Sequence, residues 1–126
     1  MRLTQACVDI RGSTAIEFGM TAPLFFMLIV GMMEFGILFW TQAGLQHGAE
    51  MAARCATVNT TLCGSATAIQ NYAAQQSFGL NPPPSIFTVS DSACGNQISA
   101  SYPFIFISNY FGVPSLTITA LSCFPK

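Results

Sequence analysis

RGSTAIEFGMTAPLFFMLIVGMMEFGILFW, residues 11–40, is the stretch whose reading decides the fold. A basic residue and a glycine open it, Glu17 sits at the mouth of the apolar run, and Phe18–Met33 contains no charge. Those residues form about 24 Å of α-helix, and continuing to Trp40 passes the roughly 30 Å of a hydrocarbon core. Ser13 and Thr14 are the candidate caps, which puts Glu17 in the first turn, where a negative charge suits the helix dipole. Pro23 removes a backbone hydrogen bond and is expected to loosen or kink the helix near Gly19. Glu34 interrupts the far end, and Trp40 stands where an interfacial aromatic belongs. The stretch therefore predicts a membrane-spanning helix. An unpartnered carboxylate within one costs about 2.5 kcal/mol or more, so Glu17 asks for a reason.

Composition agrees with a single span. Of 126 residues, 52% are hydrophobic and 7% charged, against about a quarter charged in an ordinary soluble domain. The apolar residues concentrate in Ile16–Trp40, and the chain beyond Trp40 is rich in Ala, Gln, Asn, Ser and Thr. One membrane segment and one small polar domain account for the chain, with no length left for a second sizeable core. A net charge of -1 and four Lys and Arg residues exclude nucleic acid as a partner, since they cannot neutralise a run of phosphates. In Met1–Gly12, Arg2 and Arg11 outweigh Asp9, which marks a cytoplasmic leader and sends the rest of the chain outside.

Five cysteines fall on the two sides of that span. Cys7 precedes it; Cys55, Cys63, Cys94 and Cys123 come after it. Four thiols in an oxidising compartment read as two disulfides, with three possible connectivities. Zinc is the rival, but no C-x-x-C pair exists and the spacings are long and irregular, so neither metal nor any other cofactor is expected.

Downstream, the sequence predicts an α+β arrangement: a long N-terminal transmembrane helix extending outward, a short helix, and a small antiparallel β-sheet head with disulfides. The helix continues through TQAGLQHGAEMAARCATV, where Gly44, Gly48, Ala52 and Cys55 form one stripe of small residues. Each interior glycine costs up to ~1 kcal/mol, so the stripe, Gly44 and Gly48 above all, reads as an assembly surface that another helix approaches closely. Residues 57–84 hold a short helix over Ala66–Phe78 and the Pro-rich connector Asn81–Ser85. Residues 85–126 form the β head, with strands at Ser85–Ser90, Gln97–Ser108 and Ser115–Phe124 and a turn in NYFGVP. Pro103 is expected at an edge or bulge. With Ile107 opposite Ser115, the register favours Cys94–Cys123 and leaves Cys55–Cys63 to join helix end to loop.

Gly12-Ser13-Thr14-Ala15-Ile16-Glu17-Phe18 resembles the processing site of type IV prepilins, cut after the glycine by a membrane-embedded aspartyl peptidase. Glycine suits the residue before the cut, because an extended backbone enters a tight site with no side chain in the way. Cutting there makes Ser13 the new N-terminus and Glu17 its fifth residue. From Gly12 to about Ala56 the chain is similar to the TadE family, the pilin-like minor proteins of the tight-adherence (Tad, or Flp) pilus system, with residues 13–56 as its transmembrane and extended helix. The residues that carry this are Gly12, AIEF at Ala15–Phe18, Ala22-Pro23, EFG at Glu34–Gly36 and GAEMAAR at Gly48–Arg54. The resemblance implies a substrate of prepilin peptidase that packs with other pilin-like subunits and with pilus assembly platform proteins at the inner membrane. It implies a role for Glu17: pairing with the freed α-amine of a neighbouring subunit. The alternative is that Glu17 lies at the headgroup boundary and needs no partner. Pro23 is either a tolerated membrane proline or a bend that helps subunits leave the bilayer. Glu34 is either a headgroup-level residue or a second assembly contact, and Arg54 is placed to pair with Glu50 one turn back.

Catalysis is not expected. His47, Glu50 and Cys55 supply too few ligands for a metal and no nucleophile, base and orienter in sequence register; His47 reads as a solvated histidine on a polar face. Two other readings compete with the pilin-like one. One is an uncleaved single-pass membrane protein with a small extracytoplasmic binding head. The other is a secretory signal before a soluble domain, which the length of the apolar run and the lack of an A-x-A site disfavour.

Overall fold

The computed structural model describes residues 10–107, 112 and 115–125. The leader residues 1–9, Cys7 among them, and all of the predicted NYFGVP turn except Gly112 lie outside the described residues, as does Lys126. The element order is α1 (Ile10–Val58), α2 (Ala66–Gln75), a single 3₁₀ turn (Pro84–Ile86), then β1 (Phe87–Ser92), β2 (Gly95–Ile105) and β3 (Ser115–Phe124). The expected sequence of long helix, short helix and three-stranded antiparallel sheet is the one the chain forms.

By its contacts the chain divides into two units, Met1–Met33 and Glu34–Lys126. Within the first, the described residues belong to α1 alone. The helix already runs at Ile10, so Ser13 and Thr14 are not its caps and Glu17 is not in its first turn. Apart from Gly12, Ile10–Thr14 holds no residue that opposes a helix, so the helix runs through Ser13 and Thr14 without a cap there. Pro23 lies inside the helix without ending it. Pro23 leaves the Gly19 carbonyl without its helical donor, and earlier in the same stretch the Thr21 hydroxyl donates to the Glu17 carbonyl at 2.9 Å.

The second unit, called the head unit below, has a core. Leu45, Ala49, Ala52 and Ala53 of α1 pack with Ile69 and Ala73 of α2 and with Phe87, Ile98, Ala100, Phe104, Ile118 and Ala120 of the sheet. The strand order is β1-β2-β3, with both pairs antiparallel. Period-two alternation explains which side is covered: Ile98, Ala100 and Phe104 are buried while Ser101, Pro103 and Ile105 are exposed. α2 opens on Ser65, whose hydroxyl oxygen accepts from the Ala68 amide at 3.2 Å, and it stops at Gln75 rather than Phe78. Two of its last carbonyls are taken by the residues that follow: the Gln76 amide donates to Tyr72 at 3.0 Å and the Ser77 amide to Ala74 at 3.4 Å.

Three details of the sheet differ from expectation. β1 begins at Phe87, because the 3₁₀ turn extends the proline connector through Ile86. Ser115 lies opposite Ile105, not Ile107, a slip of two residues that keeps every side chain on its expected face. Phe106 thereby leaves the ladder and packs edge-on against Phe104, with ring centroids 5.2 Å apart. Finally, Pro103 is in the central strand, yet β1 pairs only as far as Ala100, so at Pro103 the ladder continues on the Thr117 side alone. Its position is a local edge, which is the condition a proline requires.

Candidate functional site

The feature that carries function in the sequence is the helix, and the two units treat it differently. From Ile16 to Val30 all its large apolar side chains but the half-buried Ile29 are exposed: Phe18, Met20, Leu24, Phe25 and Phe26 all show more than half their surface. An 18-residue window of α1 has mean hydropathy 2.1 with 6% of it buried, so this one helix is apolar and long enough to cross a membrane. Gly12, Gly19 and Gly31 have open space where a side chain would go. Gly12 is exposed and helical, and of Ser13 only the helical backbone is described. Glu17 is exposed, and its carboxylate meets no partner among the described residues. Pro23 is exposed one and a half turns further on.

Past Met33 one stripe of α1 turns inward: Glu34, Thr41, Gly44, Leu45, Gly48, Ala49, Ala52 and Cys55 are buried, at steps of three and four residues on one face. Glu34, 8% exposed, is covered within its own unit. Thr41 satisfies its hydroxyl on the Ile37 carbonyl at 2.8 Å. The element seated on the small-residue stripe, at Gly44 and Gly48, is the chain's own α2 with its exit turn. A Cβ on Gly48 would stand 2.6 Å from the Ala73 carbonyl oxygen, and one on Gly44 would stand 3.0 Å from that of Ser77 and collide with Leu80. Ser77 is fully buried there, its hydroxyl on the Ala73 carbonyl at 2.8 Å.

His47 corrects the reading of a solvated side chain. Its Nδ1 donates to the Gln76 carbonyl at 2.9 Å, and its ring stacks on Phe78 with centroids 4.3 Å apart. Phe78 also lies 6.1 Å from Trp40 and adopts a left-handed φ of 49°, a conformation that such packing must hold in place. Glu50 differs as well: it accepts from Gln46 at 3.0 Å, and Arg54 forms no ion pair among the described residues. Arg54 instead lines a shallow surface cavity with Met51, Val58, Leu62 and Tyr72 beside the Cys55–Cys63 bridge.

Both favoured disulfides are present, Cys55–Cys63 and Cys94–Cys123. The second closes across the open end of the ladder, where Gln97 faces Cys123, and Gly95, at φ 122°, completes the β1–β2 turn next to the Phe124 carbonyl. Among the described residues no group of three His, Cys, Asp or Glu is placed to hold a metal ion.

A further set of side chains escaped the sequence reading. Gln42 and Gln46 donate to the Thr119 and Leu121 carbonyls of β3 at 3.2 and 3.1 Å, and Gln70 donates to the Phe87 carbonyl of β1 at 2.7 Å. The outward carbonyls of both edge strands are thus met by glutamines from the helices, which blunts edges that would otherwise template pairing with another chain. The i, i+4 spacing of Gln42 and Gln46 spans about 6 Å, close to the two-residue repeat of a strand. That match in spacing was the available signal.

The helix is also where the chain meets a known family. Residues 12–54 match the family model of TadE-like proteins. The TadE-like resemblance is therefore carried by the exposed apolar part of α1 and most of its inward stripe, and ends just before Cys55. No curated protein and no solved structure matches the chain.

Proposed function

We propose that this TadE-like chain is a minor pilin-like component of a Tad pilus system, anchored by α1 in the inner membrane with its head on the extracytoplasmic side. The observation that carries the reading is the coincidence of the family match with a helix whose apolar surface the chain itself leaves uncovered. Its role is structural, not catalytic: the exposed helix packs beside other pilin-like subunits and the assembly platform. Prepilin peptidase cuts after Gly12. That residue is helical in the uncut chain, so the peptidase must first unwind a turn, and a glycine lowers the cost by about 1 kcal/mol relative to alanine.

Cleavage frees an α-amine at Ser13, four residues from Glu17. The Glu17 carboxylate of one subunit and the new amine of the next then neutralise each other in a place where either alone is costly to bury. Mass spectrometry of the protein from its native host is the direct test. A mature chain beginning at Ser13 supports processing, and one beginning at Met1 supports the uncleaved single-pass protein instead. Glu17→Ala is expected to leave membrane insertion intact and to reduce pilus assembly, counted by electron microscopy; normal piliation in that variant removes Glu17 from the mechanism.

A further inference from the structure

The head unit has an apolar end, and its position is set by three contacts. Gln42 of α1 reaches Thr119, Gln46 reaches Leu121, and Thr57 meets Asn96, whose partner across the ladder is Phe124. α1 and β3 therefore run side by side in the same direction. A strand advances about 3.3 Å per residue and a helix about 1.5 Å, so stepping back from Thr119 to Ser115 corresponds to roughly nine helical residues below Gln42. That places Ser115, and Ile105 paired with it, level with the Glu34 end of the unit.

At that level the surface is apolar and open. Ile105 is 72% exposed, Ile107 86% and Leu116 44%, while Phe35, Phe39 and Trp40 of α1 show more than half their area. Exposed charge is missing among the described residues here too: from Ser92 to Pro125 the sequence has no Asp, Glu, Lys or Arg, Phe35–Gln46 has none either, and Glu34 at this level is buried.

We infer that this end of the head unit sits in the interfacial layer of a bilayer, with Ile105, Ile107 and Leu116 inserted among lipid headgroups and upper acyl chains. The inference rests on reading α1 as a membrane span. Lipid is the occupant because the patch lies level with the uncovered apolar residues Phe35 and Phe39 of α1 and carries no charge. A span that starts at Ile16 uses about 20 residues to cross the hydrocarbon and emerges near Phe35, the level of the hairpin end. Hydrated headgroups can satisfy the backbone groups of a strand end, as the hydrocarbon could not. The head is thus held close against the membrane from which α1 emerges.

Tryptophan quenching by lipids brominated in their acyl chains tests this on the full chain in phosphatidylcholine vesicles. Trp40 is the sole tryptophan, so Trp40→Phe gives a silent background for single probes. Three probes are compared: Ile107→Trp at the hairpin end, Ser101→Trp on the exposed face further along β2, and Phe25→Trp in the span. All three sites are exposed, so none disturbs the core. Ile107→Trp is expected to emit to the blue of Ser101→Trp and to lose intensity with bromolipid, while Ser101→Trp keeps its intensity. Quenching of Phe25→Trp without quenching of Ile107→Trp overturns the inference and leaves the span standing. A blue-shifted, unquenched Ile107→Trp whose shift vanishes as protein is diluted in lipid means a second copy covers the patch, which also overturns it. Failure to quench Phe25→Trp overturns the span itself.

Discussion

Glycine occupies α1 on both sides of Met33, with opposite results. Gly19 and Gly31 face open space, whereas Gly44 and Gly48 lie under α2 and its exit turn with no room for a methyl group. The helix is continuous and the residue type is the same, so local conformation does not separate the two sets. The difference lies in the segments the chain can bring back to each. Beyond Met33 the chain folds two helical turns' worth of small residues beneath its own α2 and sheet; before Met33 it leaves most of its large apolar side chains exposed. A small-residue position in this helix is therefore not read from its type alone: Gly44 and Gly48 are packed against, while Gly19, Gly31 and Gly36 are not.

The contrast is broken most severely by a core deletion. Phe87→Ala, at a fully buried position, is expected to destabilise the head unit by about 3–5 kcal/mol in chemical denaturation, while Phe25→Ala shifts it by less than about 0.5 kcal/mol. Comparable losses for both would mean that the two regions are not energetically distinct. Next in size is the glycine pair itself. Gly48→Ala pushes against the Ala73 backbone, and overpacking of about 1–3 kcal/mol outweighs the ~1 kcal/mol gained in helix propensity. The net loss should appear as a lowered melting temperature, whereas Gly31→Ala should leave the head's melting unchanged. The smallest effect is at the strand edge. Gln46→Ala removes one hydrogen bond to the Leu121 carbonyl and is expected to cost about 1 kcal/mol, with faster amide exchange along β3 as the sharper readout.

Much of this was legible because it is written in short-range pattern. The charge-free run, the switch from helical to period-two spacing, and the prolines at 82–84 gave the elements in order. The disulfide pairing survived an incorrect register, since a shift of two residues at Ser115 preserves the faces and Cys94 still arrives near the last strand's end. The helix start was misplaced because Ser13 and Thr14 carry cap chemistry in a chain that has no need to begin a helix there. His47 was misread for the opposite reason: its neighbours in sequence are polar, and the carbonyl and ring that hold it come from Gln76 and Phe78, some thirty residues away.

By itself the sequence determined that one helix is apolar enough to enter a membrane, that a TadE-like segment begins at Gly12, and that a cysteine-bearing β head comes after it. Periodicity, charge and motif order are properties of neighbours along the chain, and they suffice for that. Only the tertiary structure decided which small residues are already occupied, which glutamines guard the sheet edges, and which end of the head remains apolar. Those outcomes depend on which surfaces meet across long sequence separations, and hydrophobic burial is indifferent to sequence distance.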